Sequence, residues 1–501
     1  MIRATCLGCS TALACLLAAC TVGPNFKAPP PPHTSGFAPP GAIPAELGPA
    51  QSHTGQATQH LVDDVDIPGE WWTLFQSPAL NALIERALVN SPTLEAATAV
   101  LRQANETLAA ERGSFYPSVS GSAGVQRQKV PGAALGAPQI SSVIYTLNNA
   151  TLNVSYTLDV FGGVRRQVES LGAQAEYERF ALEAAYLTLT SNLVTAAITE
   201  ASLRAQIAAN EDIAQSQRQQ LEIIQRRLTA GAASRADVLQ QQAVLQGTLA
   251  ALPTLRTQLA QQRNLLAAYA GALPADYSGA EFTLDSLILP SELPLSLPSK
   301  FVEQRPDVRE FSALLHEATA QIGVATAAML PQITLSGSYG GEATGFSNVF
   351  SPASVVWSLA ASAAQPIFKG GQLVHQRRAA VAAAEQAAAN YRGTVITAFQ
   401  NVSDTLHALK GDADALEAED LAAQTAADSL RLVQVQYKSG AASYLQVLSA
   451  EQTYQTAAVA LVKAKAQRYA DTAALFQALG GGWWNRSDVA ANAPDSRKEP
   501  L

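Results

Sequence analysis

The chain has 501 residues, 48% of them apolar and 15% charged, and carries a formal net charge of −8. That length implies several domains or one large repeated architecture. The acidic balance and the absence of a basic face exclude a nucleic-acid partner, and no uncharged apolar run of about 18 residues follows the N-terminus, so no membrane-spanning helix is expected.

The N-terminus reads as an export signal over residues 1–19. Arg3 supplies the positive end and LGCSTALACLLAAC the short apolar core. Leu17-Ala18-Ala19-Cys20 looks like a bacterial lipobox, with Cys20 acylated and left as the mature N-terminus. Cys6, Cys9 and Cys15 leave with the signal, so the mature chain needs no disulfide. Thr21, rather than an aspartate, follows the lipidated residue, which resembles sorting to the outer membrane. One acylated cysteine anchors a protein without making it span. Residues 20–62 are Pro-rich and polar (VGPNFKAPPPPHTSGFAPPG at their start), so a lipid-anchored linker without a core is expected here. His33, His53 and His60 fall in it as solvated residues rather than a metal tract.

Residues 63–275 form the first of two repeats. Leu94, Ala97, Leu101, Ala104 and Leu108 recur in steps of three and four, the stripe of a helix packed on helices. Strands are expected over about 117–163. Thr151–Val160 alternates without a fault: Leu152, Val154, Tyr156 and Leu158 take one face, Asn153, Ser155, Thr157 and Asp159 the other. The run at Ser118–Gln126 is weaker. From Arg165 to about Thr229 the chain is rich in Ala, Gln and Leu and lacks proline, which predicts a helix of roughly 95 Å at 1.5 Å per residue. The turn GAAS follows. Gly231 suits the left-handed residue after a helix, and Ser234 can cap the helix that returns. Pro253 lies within that helix and should kink or joint it.

An equatorial linker over 276–300 leads to the second repeat, 301–482. Val308, Phe311, Leu315, Ala318 and Ile322 repeat the first stripe in phase. Strands are expected over about 331–368, where Ile333, Leu335 and Tyr339 alternate with Thr334, Ser336 and Ser338, and Ser354–Ile367 is weaker. Gly340–Gly345 reads as the loop after a strand; as a phosphate loop it lacks the lysine. A second proline-free rod runs from Leu373 to about Lys438, and GAAS returns with Gly440 and Ser443. The interval from Pro92 to Pro117 equals that from Pro306 to Pro331, and Gly231 to Gly271 equals Gly440 to Gly480. These anchors, in one order, mark an internal duplication. Residues 483–501 are a polar C-terminal tail.

About ten residues, apolar on one face and polar on the other, is the pattern of a transmembrane β-strand. Only a closed barrel satisfies strand backbones in lipid, and four strands cannot close, since the smallest bacterial barrels use about eight. The fold class expected is therefore an α+β membrane protein. It is an internally duplicated unit that contributes four strands to a barrel shared with other copies of itself, of which three would give twelve strands. The competing reading is a lipid-anchored periplasmic helical scaffold or adhesin without a pore. No enzyme is expected: His316, His375 and His407 lie far apart with no cysteine partner, Asp63, Asp64 and Asp66 form a solvated linker cluster, and no metal or cofactor pattern occurs.

CTVGPNFKAPP, WWTLFQSPALNALIERALVNSP, QRPDVREFSALLHEATAQIGVATAAMLPQITLSGSYG and FQALGGGWW span nearly the whole mature chain. On these stretches the chain resembles the TolC-like outer-membrane factors, most closely the outer-membrane efflux lipoproteins of resistance-nodulation-division systems. The resemblance implies a homotrimer in outer-membrane lipid, a trimeric 12-stranded transmembrane β-barrel continued by a long periplasmic α-helical barrel, docked on a periplasmic adaptor (a membrane fusion protein) driven by an inner-membrane efflux transporter, and exporting small molecules. It also implies that the two turns form the periplasmic tip. Gly231, Ala232, Gly440 and Ala441 would contact the adaptor. Asp237 and Tyr437 match a pair that ties neighbouring hairpins in the closed state. Gln446 and Ser449 occupy positions where many relatives carry aspartates around the constriction, and Ala442 stands where a gate arginine can occur, so this gate is uncharged and should bind multivalent cations weakly. Asp237 is equally placed to stabilise its helix N-terminus.

Overall fold

The computed structural model describes residues 21–488 except 33, 35, 49–57, 137, 138 and 140. The signal segment, Cys20, His33, His53 and most of the C-terminal tail lie outside the described residues. In chain order, β1 (Glu46–Leu47), β2 (Gln59–Asp63), α1 (Pro78–Asn90) and α2 (Pro92–Arg112) precede β3 (Ser118–Val130) and β4 (Val143–Leu158). Helix α3 (Gly163–Thr229) then turns back as α4 (Arg235–Tyr269). The second half runs β5 (Glu292–Leu295), α5 (Pro298–Gln304), α6 (Pro306–Ala327), β6 (Gln332–Ala343), β7 (Val355–Ala364), α7 (Gln372–Lys438) and α8 (Tyr444–Ala478). Helices α3 and α7 both have 67 residues, and α4 and α8 both have 35. The duplication is thus carried residue for residue through each hairpin. Each 67-residue helix extends for about 100 Å.

The chain divides into two compact units. One comprises residues 1–29, 100–178 and 310–392, the other 30–99, 179–309 and 393–501. The first holds an antiparallel sheet in the order β3-β4-β6-β7. Strand β4 ends at Leu158, not Val160, because Asp159 turns to cap α3. Its Oδ1 accepts from the Val164 amide at 2.9 Å and its Oδ2 from the Arg165 amide at 3.0 Å, satisfying donors left free at a helix start. Strand β6 runs on to Ala343, so Gly340–Ala343, read as loop, belong to a strand. Residues after Cys20 pack on the same unit. The Val22 amide donates to the Phe161 carbonyl at 3.1 Å, and the buried Arg166 donates to the carbonyls of Val22 and Gly23 and to Asn25 Oδ1 at 3.1, 3.3 and 2.7 Å. Phe26 stacks on His316 at 4.4 Å.

The second unit has an aromatic core of Trp71, Trp72, Phe75 and Phe476, with the Trp71 and Phe476 rings stacked at 5.3 Å. The RPDV stretch works here through Arg305. It donates to the carbonyl of Ala478, the last residue of α8, at 2.7 Å and grips Asp307 with two bonds at 2.9 and 2.5 Å, a cation where a helix C-terminus favours one. In LGGGW the three glycines all have positive φ, and a Cβ on Gly482 would lie 2.4 Å from the Pro68 carbonyl oxygen; only glycine fits.

Three further expectations change. Residues 20–62 are not coreless: β1 and β2 join β5, from the 276–300 linker, in a three-stranded sheet where Leu47 and Gln59 are buried. The apolar residues Phe37, Leu47 and Leu61 are spaced through the polar stretch, so composition masked them. Helix α4 runs unbroken through Pro253, which marks no joint. One stretch of α3 is long and apolar enough to cross a membrane by length and composition; half of it is buried inside the protein.

Candidate functional site

Two regions concentrate unusual chemistry: the four-stranded sheet and the two hairpin turns. In the sheet, register places like with like. Val119, Val154, Gly337 and Leu359 form one cross-strand row; Gly121, Leu152, Tyr339 and Trp357 form the next; Tyr156, Leu335 and Ala361 continue it. Leu158 pairs Ile333 on the same face. The opposite face reads Ser118, Ser155, Ser336 and Ala360, then Ser120, Asn153, Ser338 and Ser358. Its hydroxyls bond across strands, Ser122 to Thr151 at 2.9 Å and Ser338 to Ser358 at 2.8 Å.

Among the described residues the apolar face is left largely uncovered. Leu152 is 57% exposed, Trp357 72% and Leu359 82%. Val154 is exposed, and Tyr156 and Leu158 are half-buried. An exposed apolar face of this extent calls for a non-aqueous neighbour. Strands β3 and β7 are each paired on one side only, so the sheet ends in two open edges. In lipid such edges require partners.

The turns are built alike. At the first, Gly231 has φ +75°, and the Ala232 amide donates to the Arg227 carbonyl at 2.8 Å. At the second, Gly440 has φ +80°, and the Ala441 amide donates to Gln436 at 2.8 Å. Both are glycine-closed helix ends of the Schellman type. The returning helices open with the same cap. Asp237 Oδ2 accepts from the Ser234 amide and hydroxyl, each at 2.8 Å, while Ser234 Oγ accepts from the Asp237 amide at 3.1 Å. Gln446 Oε1 accepts from the Ser443 amide at 2.7 Å and its hydroxyl at 3.2 Å. Asp237 and Gln446 are therefore repeat partners doing one job, a reciprocal cap of the kind that stabilises helix starts. No charge is required for it.

The residues singled out from sequence fall as follows. Gly231, Ala232, Gly440 and Ala441 are exposed at the turns. Gln446 and Ser449 are exposed on the first turns of α8. Among the described residues no hydrogen bond joins Asp237 to Tyr437 within the chain. Tyr437 instead lies beneath the Arg227 guanidinium, 4.5 Å from its centroid, and 5.4 Å from the Tyr444 ring.

Sequence reading missed a cluster just behind the turns. Ile224, Val447 and Leu448 form a buried apolar core there with Tyr444. Beside it Gln217, Gln241 and Glu451 are also buried. The Tyr444 hydroxyl donates to Gln241 Oε1. Gln241 Nε2 donates to the Gln217 carbonyl at 3.2 Å and to Glu451 Oε2 at 3.5 Å. Burial holds the Glu451 carboxyl above its ordinary range, with the Gln241 donor pulling the other way. Burial, then the charge of Glu451, raises the Tyr444 phenol as well, so it stays a donor. Gln-rich helices conceal such a cluster in sequence; the one available signal was Glu451, the single acid in the first half of α8.

The family model described as outer membrane efflux protein matches residues 83–272 and again 297–481. The chain is 29% identical over 478 residues to the antibiotic efflux pump outer membrane protein ArpC of Pseudomonas putida, covering 95% of each. It is 30% identical over 425 residues to the pyoverdine export outer membrane protein OpmQ of Pseudomonas aeruginosa, covering 83% of this chain and 87% of that one. Its fold matches the open state of the MtrE outer membrane channel of Neisseria gonorrhoeae with a TM-score of 0.79 at 25% identity, over 93% of this chain and 99% of that structure.

Proposed function

The chain belongs to the outer membrane efflux protein family, and from that membership we infer its work: it is the outer-membrane channel of a tripartite efflux system, a passive exit duct for small molecules. The observation that carries this reading is the two-faced sheet with both edges open. Three such sheets close a barrel of twelve strands, with Leu152, Val154, Tyr156 and Leu158 toward lipid and the serine and threonine rows toward the lumen. The family is one of transport ducts. The relatives' cargoes, an antibiotic and pyoverdine among them, leave this chain's own cargo open.

Finer assignments complete the proposal. Cys20 carries the lipid anchor. The turns at Gly231-Ala232 and Gly440-Ala441 meet the periplasmic adaptor, which links the duct to an inner-membrane transporter. Gln446 and Ser449 line an uncharged constriction near Asp237 and Tyr437. Small residues at the turns support adaptor docking, because they let another backbone approach closely.

The competing scaffold reading is separated by a Cys20→Ser variant. A duct stays in the membrane pellet after a carbonate wash and forms conducting steps in a planar bilayer. A scaffold held by its lipid alone becomes soluble and conducts nothing.

A further inference from the structure

The four strands and the β3–β4 and β6–β7 connections hold few charged residues: Arg127, Lys129 and Glu342. Side chains alternate along a strand, so the sheet sorts them. Arg127 and Lys129 continue the series Val119, Gly121, Ala123 and Val125 on the apolar face. Glu342, paired with Asn149, lies on the hydroxyl-rich face. Both cations are exposed. The adjoining helices all leave the sheet at its other end: α2 precedes β3, α3 follows β4, α6 precedes β6 and α7 follows β7. With those helices in the periplasm, Arg127 and Lys129 stand at the outward rim, level with lipid headgroups. Below them the same face is hollow. Gly121, Ala123, Ala150 and Gly341 floor a groove of about 560 Å³ that Leu152, Tyr339 and Phe350 also line. Ala123 is four residues from Arg127, about 13 Å along the strand. The β6–β7 connection folds back over this face: a Cβ on Gly341 would collide with the carbonyl oxygen of the buried Val349. The buried Asn148 pins the start of that connection through the carbonyls of Ala343 and Thr344. Phe350 is left 80% exposed beside the groove and Tyr339 61%.

We propose that this face binds a phosphate-bearing lipid of the outer leaflet, with Arg127 and Lys129 on the phosphate and one acyl chain in the groove beneath. This rests on the channel reading given above, which turns the apolar face to lipid. Charge complementarity selects the head. Two cations two residues apart, with the one nearby acid on the opposite face, favour an anionic headgroup. Cations on a lipid-facing strand cost little at the interface and much at the midplane, and these two lie at the strand end. Shape selects the tail. Small residues on adjacent strands open a channel narrow enough for a chain, and the aromatic rings beside it give the chain apolar contact. An annular lipid without a phosphate gains nothing from the cations, and a free phosphate gains nothing from the groove.

Native mass spectrometry of the full-length detergent-extracted protein tests it, with lipid A (a diphosphorylated, acylated disaccharide) as the probe. The expected spectra show trimers carrying up to three lipids, with an affinity at least about tenfold above that for phosphate-free diacylglycerol. Replacing both cations, Arg127→Gln with Lys129→Gln, should lower the lipid A affinity about tenfold or more. Ala123→Trp should lower it several-fold by filling the groove; if that variant fails to assemble, the double glutamine variant decides. Glu342→Gln, on the other face, should change nothing. Equal affinities for lipid A and diacylglycerol, an unaffected double variant, or full competition by equimolar inorganic phosphate overturns the proposal. A native mass of one chain would instead count against the channel reading, whatever lipid is bound.

Discussion

A carboxyl buried beside one weak donor is an uneasy group, and Glu451 is such a group. Its folded-state pKa lies above the ordinary glutamate value of 4.5. The folded junction therefore prefers the proton. Its contribution is complete below that ordinary value and is lost as pH rises through the raised one. Thermal stability of the hairpin ends should fall with rising pH in this window, and Glu451→Gln should flatten the fall. Glu183 and Glu200 are shifted the same way by burial, so the difference between wild type and variant isolates position 451. A variant that keeps the full slope would remove Glu451 from the account. Sequence could not give this residue its role, because burial on a helix of mixed small, polar and apolar residues with no clear apolar stripe is decided by a partner hairpin about two hundred residues away in sequence. Gln446 shows the converse. Its place at the turn was legible, but its Oε1 is held by Ser443, and the serine–x–x–glutamine spacing of a capping box already said so.

At the scale of elements, the strands and hairpins were the most legible features. Period-two alternation and proline-free length each have one structural solution, and the turns carry glycine where φ is positive. The alternating runs understated β3, β4 and β6, while the run at Ser354–Ile367 overran β7. Strand β4 begins at Val143, where Asn148 and Asn149 interrupt the alternation, and Asn148 is buried with its amide donating to the carbonyls of Ala343 and Thr344 at 3.3 and 3.1 Å. The two faces predict opposite tolerance. Leu152→Lys, toward lipid, should cost on the order of 2–4 kcal/mol if it lies near the bilayer midplane. Asn153→Lys, toward the lumen, should leave assembly intact. Retention of the trimer on unheated gels checks both, and equal loss would contradict the assignment of faces. At the turns, no neighbouring atom lies within 4 Å of a Cβ on Gly231 or Gly440. Alanine there should cost only the left-handed conformation, roughly 1–2 kcal/mol each. Ala441→Trp should preserve bilayer conductance yet abolish efflux in cells, if the turn meets an adaptor; unchanged efflux would refute that contact.

For the molecule as a whole, the duplication explains why one chain brings two long hairpins but only half the strands of the smallest barrel. The sheet cannot close on itself, and among the described residues its apolar face is largely without a partner. Both deficits are resolved by copies around a threefold axis, where a duplicated subunit yields a pseudo-sixfold ring. The segment after Cys20 fits this picture. Val22 bonds to Phe161 and Arg166 just past the end of β4, so the anchor proposed at Cys20 would start beside β4. The most direct test is the native mass of the detergent-extracted protein, corrected for bound detergent and lipid. The account predicts a protein mass of three chains that persists when Cys20 is replaced by serine. A monomer that needs detergent only for its lipid would contradict it, because four strands alone cannot form a channel.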